Sequence, residues 1–274
     1  MKKRIIILTN SELRHVFFRK YMALSEDFDI INSYCEGREK SLRALVEKEN
    51  GNELRLKNLL AREQSEKDFF ELFIKTIHDF SYPIPLPYGE INSPEYTRLI
   101  RSCNADLLVA YGCSLIKETL LDAFKGRFLN VHLGLSPYYR GSGTNYWPLV
   151  NGEPEYVGAT FMHMDAGIDT GKIIHQIRTK YCWGDTSHQI GNRLIIEMAK
   201  TYRRIVENFD RLEKMPQLPV PPDAKLCRKG DYTEESVLTL RKNFRNGMIE
   251  KYLDEEAERC ARVPIITNPA LEYP

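Results

Sequence analysis

Near the amino terminus, Arg4-Ile5-Ile6-Ile7-Leu8-Thr9 is an unbroken apolar run, too short for a helix face and rich in β-branched residues. Such a run reads as a strand buried on both sides. Apolar residues at Leu13, Val16, Phe17, Tyr21 and Leu24 then follow a helical period, and Phe28 to Tyr34 supplies a second strand. Strand, helix, strand, helix at the start of a chain demands parallel pairing through right-handed crossovers. The predicted class is α/β, a mostly parallel sheet with flanking helices and a small helical carboxyl-terminal region.

The charged span from about Glu36 to Phe80 has helical periodicity with a break near Gly51. Pro83, Pro85 and Pro87 interrupt the pattern, and Ser93-Pro94-Glu95 marks a helix start. Ala105 to Gly112 and Phe128 to His132 read as strands with a helix between them that ends near Leu121. Tyr156 to Met164 and Gly171 to Cys182 are two more strand candidates. Thr186 and Gln189 cap a long helix with apolar positions from Ile190 to Phe209. Pro216, Pro219, Pro221 and Pro222 mark a linker or extended crossing, so the division expected is residues 1–214 and residues 215–274. Within residues 215–274 a helix is expected from about Thr233 to Asn246, and another after Gly247.

Charge narrows the partners. The chain has 274 residues with 39 basic and 38 acidic side chains, a formal charge of +1. No global field draws it to nucleic acid or an acidic membrane, and no run approaches the roughly 20 apolar residues of a membrane span. A soluble, cytoplasmic protein is expected, with neither nucleic-acid nor membrane partner; a homodimer is left open. Cys35, Cys103, Cys113, Cys182, Cys227 and Cys260 have no CxxC spacing and no histidine at ligand distance, so they read as reduced packing residues with no metal site.

Gly112, Asn130 and His132 fall at the carboxyl ends of predicted strands, where open parallel sheets bind ligands. Alternation turns Asn130 and His132 to one face. Asp169, in the glycine-flanked turn Asp165-Ala166-Gly167-Ile168-Asp169-Thr170-Gly171, is able to reach the same point. An amide, an imidazole and a carboxylate suit acyl transfer to an amine: donors for a developing oxyanion, and a base whose orientation the carboxylate fixes. Spacing alone also fits a packed histidine and ordinary turn chemistry.

Asn130-Val131-His132, the loop Pro137-Tyr138-Tyr139-Arg140-Gly141 and Ile168-Asp169-Thr170-Gly171 together resemble the folate-dependent formyltransferases, with the match best over about residues 100–200. Leu133, Gly134 and Ser136 stand where that pattern has Pro, Ser and Leu, departures expected to leave the three reactive side chains untouched. The resemblance implies a Rossmann-like sheet, 10-formyltetrahydrofolate as donor, Asn130 and His132 as the catalytic pair, and Asp169 as the carboxylate that positions a water and the imidazole. It further implies that Tyr111, Gly112, Ile116, Asp165 and Gly167 cradle the donor, largely through backbone. Arg140-Gly141-Ser142-Gly143-Thr144-Asn145-Tyr146-Trp147 is most like the enzymes that formylate nucleotide-linked amino sugars. Tyr139, Arg140 and Asn145 are the implied substrate contacts, with Arg140 and Lys172 as candidates for a diphosphate. The implied acceptor is a UDP- or dTDP-linked amino sugar of cell-surface polysaccharide biosynthesis. The competing readings are a methionyl-tRNA formyltransferase-like enzyme, a binding module without turnover, and hydrolysis of the donor.

Overall fold

A computed structural model describes residues 2–39, 41–48 and 53–271. Its elements run β1 (Lys3–Asn10), α1 (Leu13–Met22), β2 (Phe28–Glu36), α2 (Leu42–Lys48), α3 (Glu53–Thr76), β3 (Pro83–Leu86), α4 (Pro94–Ser102), β4 (Leu107–Tyr111) and α5 (Glu118–Ala123). There follow β5 (Phe128–His132), β6 (Tyr139–Gly141), α6 (Trp147–Asn151), β7 (Gly158–His163), β8 (Ile173–Arg178), α7 (Ser187–Glu207), β9 (Lys225–Cys227), α8 (Glu234–Arg245) and α9 (Met248–Ala261). The expected break near Gly51 lies outside the described residues.

Among the described residues the main sheet has seven strands in the order β3-β2-β1-β4-β5-β7-β8. The first five are parallel, whereas β7 pairs antiparallel with both β5 and β8. The expected mostly parallel α/β class therefore holds. Ile5, Ile6, Ile7 and Leu8 are fully buried because β1 lies inside the sheet with helices on both faces. On one face Ile5 and Ile7 meet Phe17 and Phe18 of α1, Phe70 of α3 and Leu194 and Met198 of α7; on the other Ile6 and Leu8 meet Ile100, Ile116 and Leu120.

The proline cluster behaves differently from the expectation of a simple interruption. Pro83 and Pro85 belong to β3, which pairs with β2 on one side only. An edge strand tolerates residues without an N–H provided the missing donors face away from the ladder. The helix caps follow their sequence signals. Ser93 accepts from the Tyr96 N–H, and Thr186 and Gln189 close a reciprocal capping box on α7. That helix ends at Glu207, so Phe209 starts a separate 3-10 turn.

The segment after the prolines is an extended crossing that lays β9 parallel on β6. Leu240, Met248, Ile249 and Tyr252 from α8 and α9 then enter the same core as Ile5 and Phe161. No helix among the described residues is long and apolar enough to cross a membrane.

His175 of β8 ties down the chain end by accepting the Asn268 N–H at 3.0 Å on Nδ1. Burial, helped by Arg204, lowers its pKa from 6.5 to about 4. Between those values the unfolded chain takes up a proton that the folded chain refuses. Stability present above pH 6.5 is therefore lost as pH falls toward 4, by up to about 1.4 kcal/mol per pH unit. His188, half-buried near Arg62 and also lowered to about 4 by desolvation, adds to the same slope. Urea unfolding across this range should show a shallower slope for His175→Asn than for the wild type; identical slopes would remove His175 as a source of the effect.

Candidate active site

β5 ends beside β4, with Asn130 opposite Ala110, and Asn130 and His132 emerge on one face two residues apart. Asn130 is half-buried and its amide hydrogen-bonds to no described side chain or backbone group. His132 is 7% exposed. Its Nδ1 lies 3.2 Å from Asp169 Oδ2, and its Nε2 lies 3.1 Å from the Tyr139 carbonyl oxygen. Carboxylate and carbonyl oxygens only accept, so both contacts are hydrogen bonds together only when each ring nitrogen carries a proton.

Asp169 reaches the imidazole from a left-handed backbone conformation, φ 52°, which aspartate tolerates better than most residues. The same Oδ2 accepts the Gly141 N–H at 2.9 Å. Asp165 shapes the turn from within: its Oδ1 accepts the Gly167 N–H at 3.0 Å and the Thr170 hydroxyl at 2.9 Å. A Cβ on Gly167 would stand 1.9 Å from Thr170 Oγ1.

Two side chains that sequence reasoning missed hold the loop after His132. Thr160 of β7 accepts the Ser136 N–H at 3.0 Å and donates to the Gly134 carbonyl at 2.6 Å. Gln176 of β8 donates to the Ser136 carbonyl at 2.6 Å and accepts the Ile266 N–H at 2.9 Å. A glutamine and a threonine buried on otherwise apolar strands are the only sequence signal for this role. The departure at Gly134 lies against the His132 side chain, contrary to the expectation that it would leave that side chain untouched. A Cβ there would lie 2.6 Å from His132 Nε2 and 2.6 Å from Thr144 Cβ, so the imidazole occupies the space a serine would need.

Of the implied substrate contacts, Tyr139 is buried, and its hydroxyl donates to Glu153 while accepting from Asn151 Nδ2 at 2.7 Å and Lys225 Nζ at 3.0 Å. What it offers His132 is its carbonyl. Asn145 Oδ1 accepts the Gly158 N–H at 3.3 Å. Arg140 makes no ion pair with a described residue, and its Nε is buried without a hydrogen-bond partner.

The implied donor cradle lies at the end of β4. The Tyr111 ring is buried, Gly112 turns the chain at φ +70°, and Ile116 is packed in the core. Glu36, fully buried at the end of β2, fixes this loop by accepting the Ser114 hydroxyl and the Gly89 N–H, both at 2.7 Å. No sequence pattern pointed to Glu36. Leu115 on this loop and Ile168 on the Asp165–Asp169 turn are 63% and 54% exposed, apolar surface of the kind a flat ring system covers. Among the described residues no group of three or more His, Cys, Asp or Glu is placed to hold a metal ion.

The open α/β sheet thus carries Asn130 and His132 on one face of β5, with Asp169 against the His132 imidazole. Residues 77–206 match the family model described as formyl transferase, and the chain carries a formyl transferase domain there. It is 35% identical over 126 residues to the methionyl-tRNA formyltransferase of Geobacter metallireducens, covering 45% of this chain and 39% of the relative. The chain spans less than half the length of the first curated relatives it matches. Among solved structures, a sugar N-formyltransferase from a Shewanella species superposes with a TM-score of 0.56 at 15% identity, covering 86% of each chain. Phosphoribosylglycinamide formyltransferase from Streptococcus pneumoniae gives 0.51 at 19% identity, over 77% of this chain and 99% of the other.

Proposed function

We infer that this chain transfers a formyl group from 10-formyltetrahydrofolate to a primary amine on a nucleotide-linked amino sugar. The observation that carries this reading is an uncommitted Asn130 amide on the same face of β5 as a His132 imidazole held by Asp169. The donor, held by the Tyr111–Ile116 loop and the Asp165–Asp169 turn, supplies an acyl carbon already activated on nitrogen. Asn130 donates to the formyl oxygen as negative charge builds on it. Asp169 holds Nδ1, leaving Nε2 as the nitrogen that exchanges protons. To take the amine's proton, His132 must first release the Tyr139 carbonyl and give up the proton it shares there; as the bond from the formyl carbon to N10 breaks, the imidazolium passes that amine proton to N10 and tetrahydrofolate leaves. Binding both partners in one cleft contributes on the order of 7–11 kcal/mol in favourable cases.

Two features favour a small anionic acceptor. Arg140 beside Gly141 carries a buried Nε without a partner, a donor that suits an anion. The carboxyl-terminal helices expose Arg241, Lys242 and Arg245 on α8 but Asp254, Glu255, Glu256 and Glu258 on α9, so their surface lacks the single-signed field that draws in nucleic acid. The second reading, formylation of methionyl-tRNA, is favoured by the names of the sequence relatives.

A panel assay with formyl-labelled donor separates the two. UDP- and dTDP-linked amino sugars should acquire label and methionyl-tRNA should not. Label on the tRNA alone would overturn the sugar assignment, and saturable donor binding without product from any acceptor would overturn catalysis.

A further inference from the structure

We propose that Lys225 of β9 is a positioning residue that keeps the Tyr139 carbonyl on His132 Nε2 and so withholds this base from water until an acceptor is seated; this rests on the formyl-transfer reading above.

β6 is three residues long, and both of its edges are in use. On one edge the Tyr139 carbonyl oxygen lies 3.1 Å from His132 Nε2, and the Gly141 N–H donates at 2.9 Å to the Asp169 Oδ2 that also faces His132 Nδ1. On the other edge the Lys225 N–H donates to the Tyr138 carbonyl and the Ser142 N–H to the Cys227 carbonyl, both at 2.8 Å. Backbone polar groups alternate between the two edges of a strand residue by residue, so Tyr139 and Gly141 face the imidazole and its carboxylate while Tyr138 and Ser142 face β9. β9, contributed by the segment after the prolines, therefore backs β6 against the reacting pair.

Lys225 stands opposite Tyr139 in that register and grips it twice. Its N–H holds the carbonyl one residue before Tyr139. Its Nζ donates to the Tyr139 hydroxyl at 3.0 Å and to Glu153 Oε2 at 2.8 Å, and lies 4.9 Å from the centre of the Tyr139 ring. The hydroxyl in turn donates to Glu153 and accepts from Asn151 Nδ2. Burial and the Glu153 carboxylate push the phenol well above its usual range, so it remains a donor in this cluster. A residue anchored at the tip of its side chain and paired along its backbone leaves its carbonyl little room to move.

An independent feature places the imidazole in this seat. A Cβ on Gly134 would lie 2.6 Å from His132 Nε2, so the space beside the Tyr139 carbonyl is open because residue 134 has no side chain. A carbonyl oxygen only accepts, and a ring nitrogen that donates to it has no lone pair to offer as a base. The reaction withheld is hydrolysis of the donor. In it a water oxygen bonds to the formyl carbon, the bond to N10 breaks, one water proton passes by way of Nε2 to N10 and the other to solvent, and formate and tetrahydrofolate leave. Water needs no seat on β6. An anionic acceptor that meets Arg140 touches the strand next to Tyr139 and is placed to draw the carbonyl off Nε2.

The test is formate release by the full chain from formyl-labelled 10-formyltetrahydrofolate with no amine present. Wild type, Lys225→Met, Lys225→Arg and Glu153→Gln are compared, each checked by thermal unfolding and tetrahydrofolate binding. Lys225 is half-buried, so replacing it opens no cavity in the core. Formate release should rise about tenfold in Lys225→Met, the effect of one charge-assisted hydrogen bond on the balance between held and released imidazole, and should stay within about threefold of wild type in Lys225→Arg. Glu153→Gln should move in the same direction as Lys225→Met. A residue that merely held the fold would lower formate release in step with transfer. Release unchanged or lower in both Lys225→Met and Glu153→Gln therefore overturns the proposal and leaves formyl transfer standing. A second readout needs no turnover: ring-nitrogen NMR of the wild type should show a slowly exchanging His132 Nε2–H signal, identified by its loss in His132→Ala, which Lys225→Met broadens or removes. A signal that Lys225→Met leaves unaltered overturns the proposal as well. A wild type that binds tetrahydrofolate but neither releases formate nor labels any UDP- or dTDP-linked amino sugar overturns the proposal and the formyl-transfer reading together.

Discussion

Asn130→Ala should form product about a hundred to a thousand times more slowly than the wild-type chain, with the KM for both substrates changed only a few-fold. The magnitude follows from losing one oxyanion donor, about 2.7–4 kcal/mol of transition-state stabilisation. Because the Asn130 amide bonds to no described group, its removal leaves no buried partner unsatisfied and folding should be unaffected. Steady-state kinetics with matched thermal unfolding provide the check. Turnover within a few-fold of wild type would remove the amide from the chemistry, and a large fall in melting temperature would reassign it to structure.

Gly141→Ala should have the largest effect on stability. A Cβ at this position would lie 2.2 Å from the Cys227 carbonyl oxygen, and φ is +93°, outside the ordinary range of a residue with a side chain. Backbone strain costs about 1–3 kcal/mol and overpacking about as much again. For a chain of this size a melting temperature lower by on the order of 10 °C is expected. The clash is with backbone, so relief requires β9 to lift from β6 or Gly141 to turn its N–H away from Asp169. Either movement loosens the carboxylate beside His132, and turnover should fall with stability. Differential scanning calorimetry and the formyl assay on one preparation measure both, and a melting temperature unchanged from wild type would mean that β9 accommodates the methyl group freely.

Local periodicity made β1, α1, α7 and the Thr186 and Ser93 caps legible, because each signal lies within a few residues of the structure it makes. β3 was hidden because proline normally opposes a strand, and only its place at the sheet edge makes Pro83 and Pro85 acceptable. The helices of the carboxyl-terminal region were readable as helices, but the entry of Tyr252 and Met248 into the main core depends on contacts with residues far away in the chain. Within the site, Asn130 and His132 followed from strand alternation. Asp169 entered through family resemblance to a motif whose side chains meet 37 residues apart. Glu36 had no local signature, and Thr160 and Gln176 only that of a polar residue on an apolar strand, since what distinguishes all three is the distant backbone group each one satisfies. Gly134 shows the opposite error: a departure from the family pattern that looked remote from the reaction proves to lie against the imidazole.

On the reading proposed above, Asn130, His132 and Asp169 together move a formyl group from folate to an amine. A single-turnover reaction with enzyme in excess over formyl-labelled 10-formyltetrahydrofolate, with and without an amino-sugar nucleotide, tests it most directly. Tetrahydrofolate release should require the amine and equal the formamide formed, with both abolished together in His132→Ala. Labelled formate released at the same rate without the amine, or full transfer by His132→Ala, would contradict it.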